Sequence, residues 1–191
     1  MALTKVRKGP QTWLYPLPAL LIGTMVDGKP NVMTASWAGM ACTEPPMVFL
    51  GMLPHRHSFP GMAANREFSV NVPSASMAPQ VDLCGIASGA TTDKIARCGF
   101  DVFYGTLTQA PLIEQCAVYL ECTVEFTREM GSHTLVLGRV VESHISEDCM
   151  DEDGMPDFVK IDPISYVHSP ARKYTRLGEV VADAFSAGLT L

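Results

Sequence analysis

The sequence is short of charge. Only 18% of its 191 residues are Asp, Glu, Lys or Arg, where globular chains average about 25%. Fewer side chains then demand water, which predicts contact between subunits. Positive charge is scarcer still: 14 Lys and Arg stand against 20 Asp and Glu, a formal net charge of −6. Affinity for phosphate backbones comes from clustered Lys and Arg, so no nucleic-acid partner is expected. No apolar run approaches the ~20 residues that span a bilayer. The basic opening, residues 1–10, is followed by an apolar stretch that Pro16 and Pro18 interrupt, so it is not a signal peptide and no membrane partner is expected. A cytoplasmic location is the expectation.

Other absences narrow the field further. None of the 6 cysteines stands in a Cys-x-x-Cys pair, the spacing that thiol redox motifs and most zinc or iron–sulfur sites use. Their neighbours are mostly apolar, which predicts buried free thiols and no metal. Cys42, close behind a polar strand, reads as a small apolar filler or as a thiol near a cofactor. The acidic stretch 147–153 lacks the spacing of an EF-hand and reads as a solvated loop. There is no internal repeat and no low-complexity linker, so residues 1–191 are read as a single domain, a length that buries about 70% of its unfolded surface.

What is present is mostly strand. Ala19 to Met25 is an apolar run closed by Asp27-Gly28, and Asn31 to Trp37 returns it as a hairpin. Pro45-Pro46 breaks the chain before Met47 to Met52, read as a fully buried strand. Phe68 to Val72 alternates with period two. In Val118 to Phe126 the apolar residues share one face, while Tyr119, Glu121, Thr123 and Glu125 share a face assigned to water. Gly131-Ser132 turns the chain into a strand over Thr134 to Ile145. Helices are short: Ser58 to Ala64 capped by Ser58, Met77 to Cys84, Asp93 to Cys98 capped by Thr92 and stopped by Gly99, and Leu177 to Phe185. The expected fold is mainly β, a small antiparallel barrel with short helices at its ends.

The chemistry concentrates between Asn31 and Asn65. The polar strand Asn31-Val32-Met33-Thr34-Ala35-Ser36-Trp37 is followed by Glu44-Pro45-Pro46, then by His55-Arg56-His57-Ser58 at a helix start. Free N–H groups at a helix start, with Arg56, His57 and the Ser58 hydroxyl, make a seat for a phosphate dianion. The plainer alternative is a capping Ser58 and an Arg56 paired with a surface acid. The His55-x-His57 pair has no carboxylate or thiol at ligand spacing, so metal is not expected.

These motifs, with Pro16-Leu17-Pro18, Glu67-Phe68-Ser69-Val70-Asn71-Val72, Ser88-Gly89, Thr92-Asp93-Lys94 and Gly131-Ser132-His133, resemble the flavin reductase-like, FMN-binding split-barrel family, and within it the flavoredoxin type. The resemblance covers roughly residues 10 to 185, and rests on the order and spacing of motifs that are each weak alone. It implies an antiparallel split β-barrel, a bound FMN, and a homodimer with the flavin near the subunit interface. Carried over residue by residue, Asn31, Met33, Thr34, Ala35, Ser36 and Trp37 would line the flavin. Arg56, His57 and Ser58 would hold its phosphate. Lys94 would bring a cation either to the phosphate or to the pyrimidine edge, where it would stabilise the reduced anionic ring. Tyr166 would cover the ring from the C-terminal segment. His133 would stand where a nicotinamide donor docks; Ser132 replaces the Asp that the wider family often has there, which leaves NAD(P)H use open. Read without the resemblance, Trp37 is core filling, Lys94 a solvated helix residue and His133 a turn histidine.

Two functional classes follow. One is an FMN redox protein, either a flavoredoxin-like electron carrier serving a redox partner protein or an NAD(P)H:flavin oxidoreductase. The other is a non-catalytic barrel that stores or senses flavin or another ligand. The absence of Gly-x-Gly-x-x-Gly excludes a Rossmann dehydrogenase, while the family binds nicotinamide without that unit.

Overall fold

The computed structural model describes residues 3–190. A short β1 (Leu17–Pro18) leads to β2 (Leu20–Val26) and β3 (Lys29–Ala35), joined by Asp27-Gly28. Both turn residues take left-handed backbone, φ 49° and 74°, which lets a two-residue loop follow the strand twist. Beyond Ser36-Trp37 come β4 (Ala38–Thr43), β5 (Pro46–Met52) and β6 (Glu67–Val72). The short β7 (Val102–Phe103) and β8 (Leu112–Ile113) precede the long β9 (Val118–Glu129) and β10 (Thr134–Ile145). A late hairpin pairs β11 (Ile164–Val167) with β12 (Lys173–Arg176). The helices α1 (Ser58–Asn65), α2 (Ala78–Ile86), α3 (Lys94–Cys98) and α4 (Phe158–Ile161) are short.

The main sheet has seven strands in the order β3-β2-β6-β9-β10-β5-β4, with antiparallel pairing throughout. Its two edges, β3 and β4, are separated in the chain only by Ser36 and Trp37. A sheet whose opposite edges are consecutive in sequence must curl until they approach. At that crossing the Trp37 carbonyl accepts from the Gly51 N–H at 2.6 Å. The outcome is the expected antiparallel split barrel.

Two cores form because the sheet is covered on both faces. Ile22, Met33, Leu50, Met62, Phe68, Cys122 and Val136 pack inside the barrel. Leu21, Val32, Val81, Cys84, Leu112, Ile113 and Tyr119 pack outside it, under α2, α3 and the β7–β8 pair. Neighbours such as Leu21 and Ile22 therefore serve different cores, as the two-residue period requires.

The structure departs from the sequence reading where burial depends on distant partners. The face of β9 assigned to water is not wet: Tyr119 and Glu121 are buried and Thr123 half-buried, and exposure begins only at Glu125, beyond which both faces, the apolar Phe126 included, are exposed. Strand β5 alternates, with Val48, Leu50 and Met52 buried and the residues between them half-buried. Strand β4 was not foreseen; its exposed edge position leaves no apolar alternation to read. Ser58 does not cap α1; the cap residue is His57, and Ser58 is buried inside the first turn. Asp93, not Thr92, caps α3 by accepting from the Ala96 N–H, and Gly99 ends it in left-handed backbone as expected. Leu177 to Phe185 forms no helix. It runs irregular and exposed, Val181 and Phe185 included. No disulfide joins the described cysteines, of which Cys84, Cys116 and Cys122 are buried and Cys42 is exposed.

Candidate functional site

The crossing from β3 to β4 opens onto a cleft with a wide end and a narrow end. The wide end has a volume of about 480 Å³. Thr34, Ala35, Ser36 and Trp37 floor it from β3 and the crossing. His133 reaches it from the β9–β10 turn, and Tyr166, His168 and Arg172 from the β11 hairpin. The narrow end, about 100 Å³, is lined by His55, Arg56, His57, Ser58, Ser88, Gly89 and Lys94. Met33, Arg56 and Ile86 line both, so the two ends adjoin across these three side chains.

The narrow end is built to hold negative charge. Lys94 is only 4% exposed. Its Nζ donates to the carbonyls of Cys84 at 3.5 Å and Ala87 at 3.4 Å. Among the described residues no carboxylate lies within ion-pair distance of it. Burial pushes the ammonium below its ordinary pKa, and the Arg56 guanidinium pushes the same way. A buried cation is ordinarily paired. Here no carboxylate partner stands among the described residues, and the adjoining pocket is where an anion would supply one. Arg56 donates to the Gly85 carbonyl at 2.8 Å, which aims it at the neck. Asn31 Nδ2 donates to Ser58 Oγ at 2.7 Å, leaving the hydroxyl hydrogen free to donate elsewhere. Gly89 is required here by space: a Cβ would stand 2.2 Å from Asn31 Oδ1 and 2.6 Å from His57 Cδ2.

The wide end is aromatic. Trp37 and His133 stack with ring centroids 4.3 Å apart and planes 21° from parallel. His168 meets Trp37 edge-on at 5.9 Å, and Tyr166 lies 5.5 Å from Tyr174. Ser132 Oγ lies 2.9 Å from His133 Nδ1, and burial lowers the pKa of that imidazole, so it is largely neutral at pH 7. Tyr174 OH donates to Asp82 Oδ1 at 3.2 Å and ties the hairpin to α2.

The fold thus gathers predicted residues spread from 33 to 166 around one cleft. Met33, Thr34, Ala35, Ser36, Trp37, Arg56, His133 and Tyr166 line its wide end, and Arg56, His57, Ser58 and Lys94 its narrow end. Asn31 lines neither. It borders a neighbouring hollow shared with His57, Gly89 and Lys94, and acts through Ser58. Sequence reasoning missed His168, Arg172, Tyr174 and Asp82. The signal for the first three was faint, two four-residue strands around a Pro-containing turn.

A family model described as the flavin reductase-like domain matches residues 13–174. The chain belongs to the flavin reductase-like family. A structure of flavoredoxin from Methanosarcina acetivorans superposes with a TM-score of 0.93 at 32% identity, covering 98% of this chain and 99% of that one. Flavoredoxin of Desulfovibrio vulgaris (Miyazaki F) gives 0.90 at 32% identity, covering 97% and 100%. An uncharacterized protein of Archaeoglobus fulgidus is 32% identical over 145 residues, 76% of this chain and 80% of its own length. Membership makes this flavin reductase-like chain a flavin-binding redox protein of the split-barrel fold. No helix among its described residues is long and apolar enough to cross a membrane.

Proposed function

We propose that the chain holds FMN and works as a redox protein of the flavoredoxin type. The observation that carries this reading is the buried Lys94, with no carboxylate in ion-pair reach, lining a small pocket that adjoins an aromatic cavity. That shape and charge match a ring system with a terminal phosphate. FMN, when bound, supplies the electron chemistry, and the protein orients and tunes it.

Each residue then has a task. Lys94, Arg56 and the Ser58 hydroxyl hold the phosphate, with His57 beside them, and Asn31 orients Ser58. Met33, Thr34, Ala35 and Ser36, which line the wide end, would hold the ring, with strand backbone available to its heteroatoms. Thr34 also donates its hydroxyl to the Val81 carbonyl, which fixes β3 against α2. Trp37 and Tyr166 flank the ring, and the neutral imidazole of His133 meets the incoming electron partner. Electrons arrive from NAD(P)H or from a redox protein.

The reading includes a homodimer. Leu3, Val6, Trp13 and Leu14 at one end of the chain and Val180, Val181, Phe185 and Leu189 at the other are exposed, as is Met40 on edge strand β4. Terminal arms with this much bare apolar surface are stabilised by a second subunit.

The test is direct. The purified protein is expected to be yellow and to retain FMN through gel filtration. Anaerobic NADH and NADPH, added in parallel, separate the donors: rapid bleaching identifies a nicotinamide-driven reductase, and bleaching only by dithionite or a redox protein identifies a carrier. A colourless protein with no affinity for added FMN contradicts the reading. Arg56→Ala with Ser58→Ala is expected to weaken FMN binding by ~1.5–3 kcal/mol for each charge-assisted hydrogen bond lost, measured by fluorescence titration.

A further inference from the structure

With the narrow end of the cleft assigned to the cofactor's phosphate, the wide end still carries basic groups that nothing uses. Arg172, an exposed residue, lines its mouth, and no described carboxylate lies within ion-pair distance of its guanidinium. His168 lines it beside Arg172 and makes ring contacts with Trp37 and Tyr166. The acid in that lining, Asp82, is already engaged by the Tyr174 hydroxyl. In a chain of net charge −6, a pocket lined by Arg56 and Arg172 against one engaged carboxylate, Asp82, is a local reversal of sign.

The turn that presents these groups is held in place. Tyr15 OH donates to the Ser169 carbonyl at 2.8 Å. The Arg172 N–H reaches the His168 carbonyl at 3.5 Å, and Arg172 itself sits at φ 50°. Left-handed backbone is unfavourable for a residue that carries a side chain. Glycine adopts this backbone more readily, so the turn holds Arg172 in a conformation a side chain disfavours.

We propose that His168 and Arg172 form a second oxyanion subsite, which takes the phosphate or carboxylate group of the small molecule that docks against the flavin. This rests on the FMN reading above. A planar guanidinium suits either group by paired N–H donors, and the edge-on contact of His168 with Trp37 keeps the subsite against the ring-binding floor. The partner class is thus a small anion-bearing molecule, either a phosphorylated nucleotide or a carboxylate.

The experiment uses the FMN-loaded protein and isothermal titration with 2′,5′-ADP, inorganic pyrophosphate and succinate. Binding of the first two assigns a phosphate partner, and binding of succinate alone assigns a carboxylate partner. Arg172→Gln is expected to weaken that binding at least tenfold and His168→Gln severalfold, with FMN affinity changed less than twofold. Arg139→Gln, whose guanidinium is paired with Glu125 elsewhere on the surface, serves as the control and leaves binding intact. Arg172→Gly is expected to abolish binding while raising the melting temperature, since it relieves the left-handed residue. Three results overturn the proposal: no anion binds the FMN-loaded protein, binding survives Arg172→Gln unchanged, or Arg172→Gln strips the FMN while Lys94→Met retains it. The last would mean that the cofactor lies in the cleft the other way round. A failure of the FMN reading shows itself earlier, as missing flavin absorbance before any titration, and the proposal falls with it.

Discussion

Lys94 shows why the site costs the flavin-free protein stability. Its pKa in the folded chain lies below the ordinary 10.5, so between those two values the unfolded chain binds more protons than the folded one. Stability of the flavin-free protein therefore rises with pH through that window, and FMN, by pairing the ammonium, flattens the slope. Lys94→Met is expected to raise the melting temperature of the flavin-free protein by roughly 3 °C, the size of a 1 kcal/mol gain in a chain this long. The same variant loses FMN affinity. Calorimetry of flavin-free wild type and variant from pH 7 to pH 10 checks both the sign and the slope. Equal melting temperatures at every pH would remove the buried cation from the account. Lys94 was legible in sequence only as part of a motif. Its burial is set by the end of α2, where the carbonyls of Cys84 and of Ala87, the residue that follows the helix, accept from its ammonium.

Among the elements, β9 carries the lesson about what a strand pattern can and cannot disclose. Period two placed Glu121 opposite Cys122 correctly, but charge alone suggested water. The structure buries Glu121 fully. Its carboxylate accepts from the N–H groups of Thr106 and Leu107 and from His144 Nε2 at 2.7 Å. Burial alone would raise that carboxyl, but the three hydrogen bonds outweigh it and hold the pKa below the ordinary range. The partners lie 14 to 23 residues away, beyond any local window. Glu121→Gln is expected to destabilise the protein by ~2–3 kcal/mol at pH 7. Because the folded pKa is depressed, the wild-type advantage is present above the ordinary carboxylate range and disappears as pH falls through the folded value. Urea unfolding at pH 7 and pH 3.5 tests this, and a difference that persists undiminished at low pH contradicts it.

Other elements divide the same way. The Asp27-Gly28 hairpin and the strand Thr134–Ile145 were readable because turn chemistry and alternation are local. Leu177 to Phe185 has helical spacing but no described surface to pack on, and a lone helix of that length is marginal in water. The β11 hairpin was unreadable because its strands have four residues each, and His168 and Arg172 were lost with it. The cleft itself depended on one topological fact, the two-residue crossing between opposite sheet edges.

At the scale of the whole molecule, an acidic chain with few charged residues places Arg56, Lys94 and Arg172 around the cleft and leaves much bare apolar surface on its terminal segments. Sedimentation is expected to show a dimer at micromolar concentration. Removal of residues 178–191, where Val180, Val181, Phe185 and Leu189 are exposed, is expected to weaken the dimer at least tenfold. A monomeric wild type would show that the exposed arms have another use. The central claim remains the phosphate seat at the narrow end of the cleft. It is tested most directly by comparing FMN with riboflavin, which lacks the phosphate, on wild type and Lys94→Met. The account predicts that wild type prefers FMN strongly, and that Lys94→Met collapses this preference while riboflavin affinity stays the same. Equal losses for FMN and riboflavin would contradict it, since Lys94 would then be serving the ring rather than the phosphate.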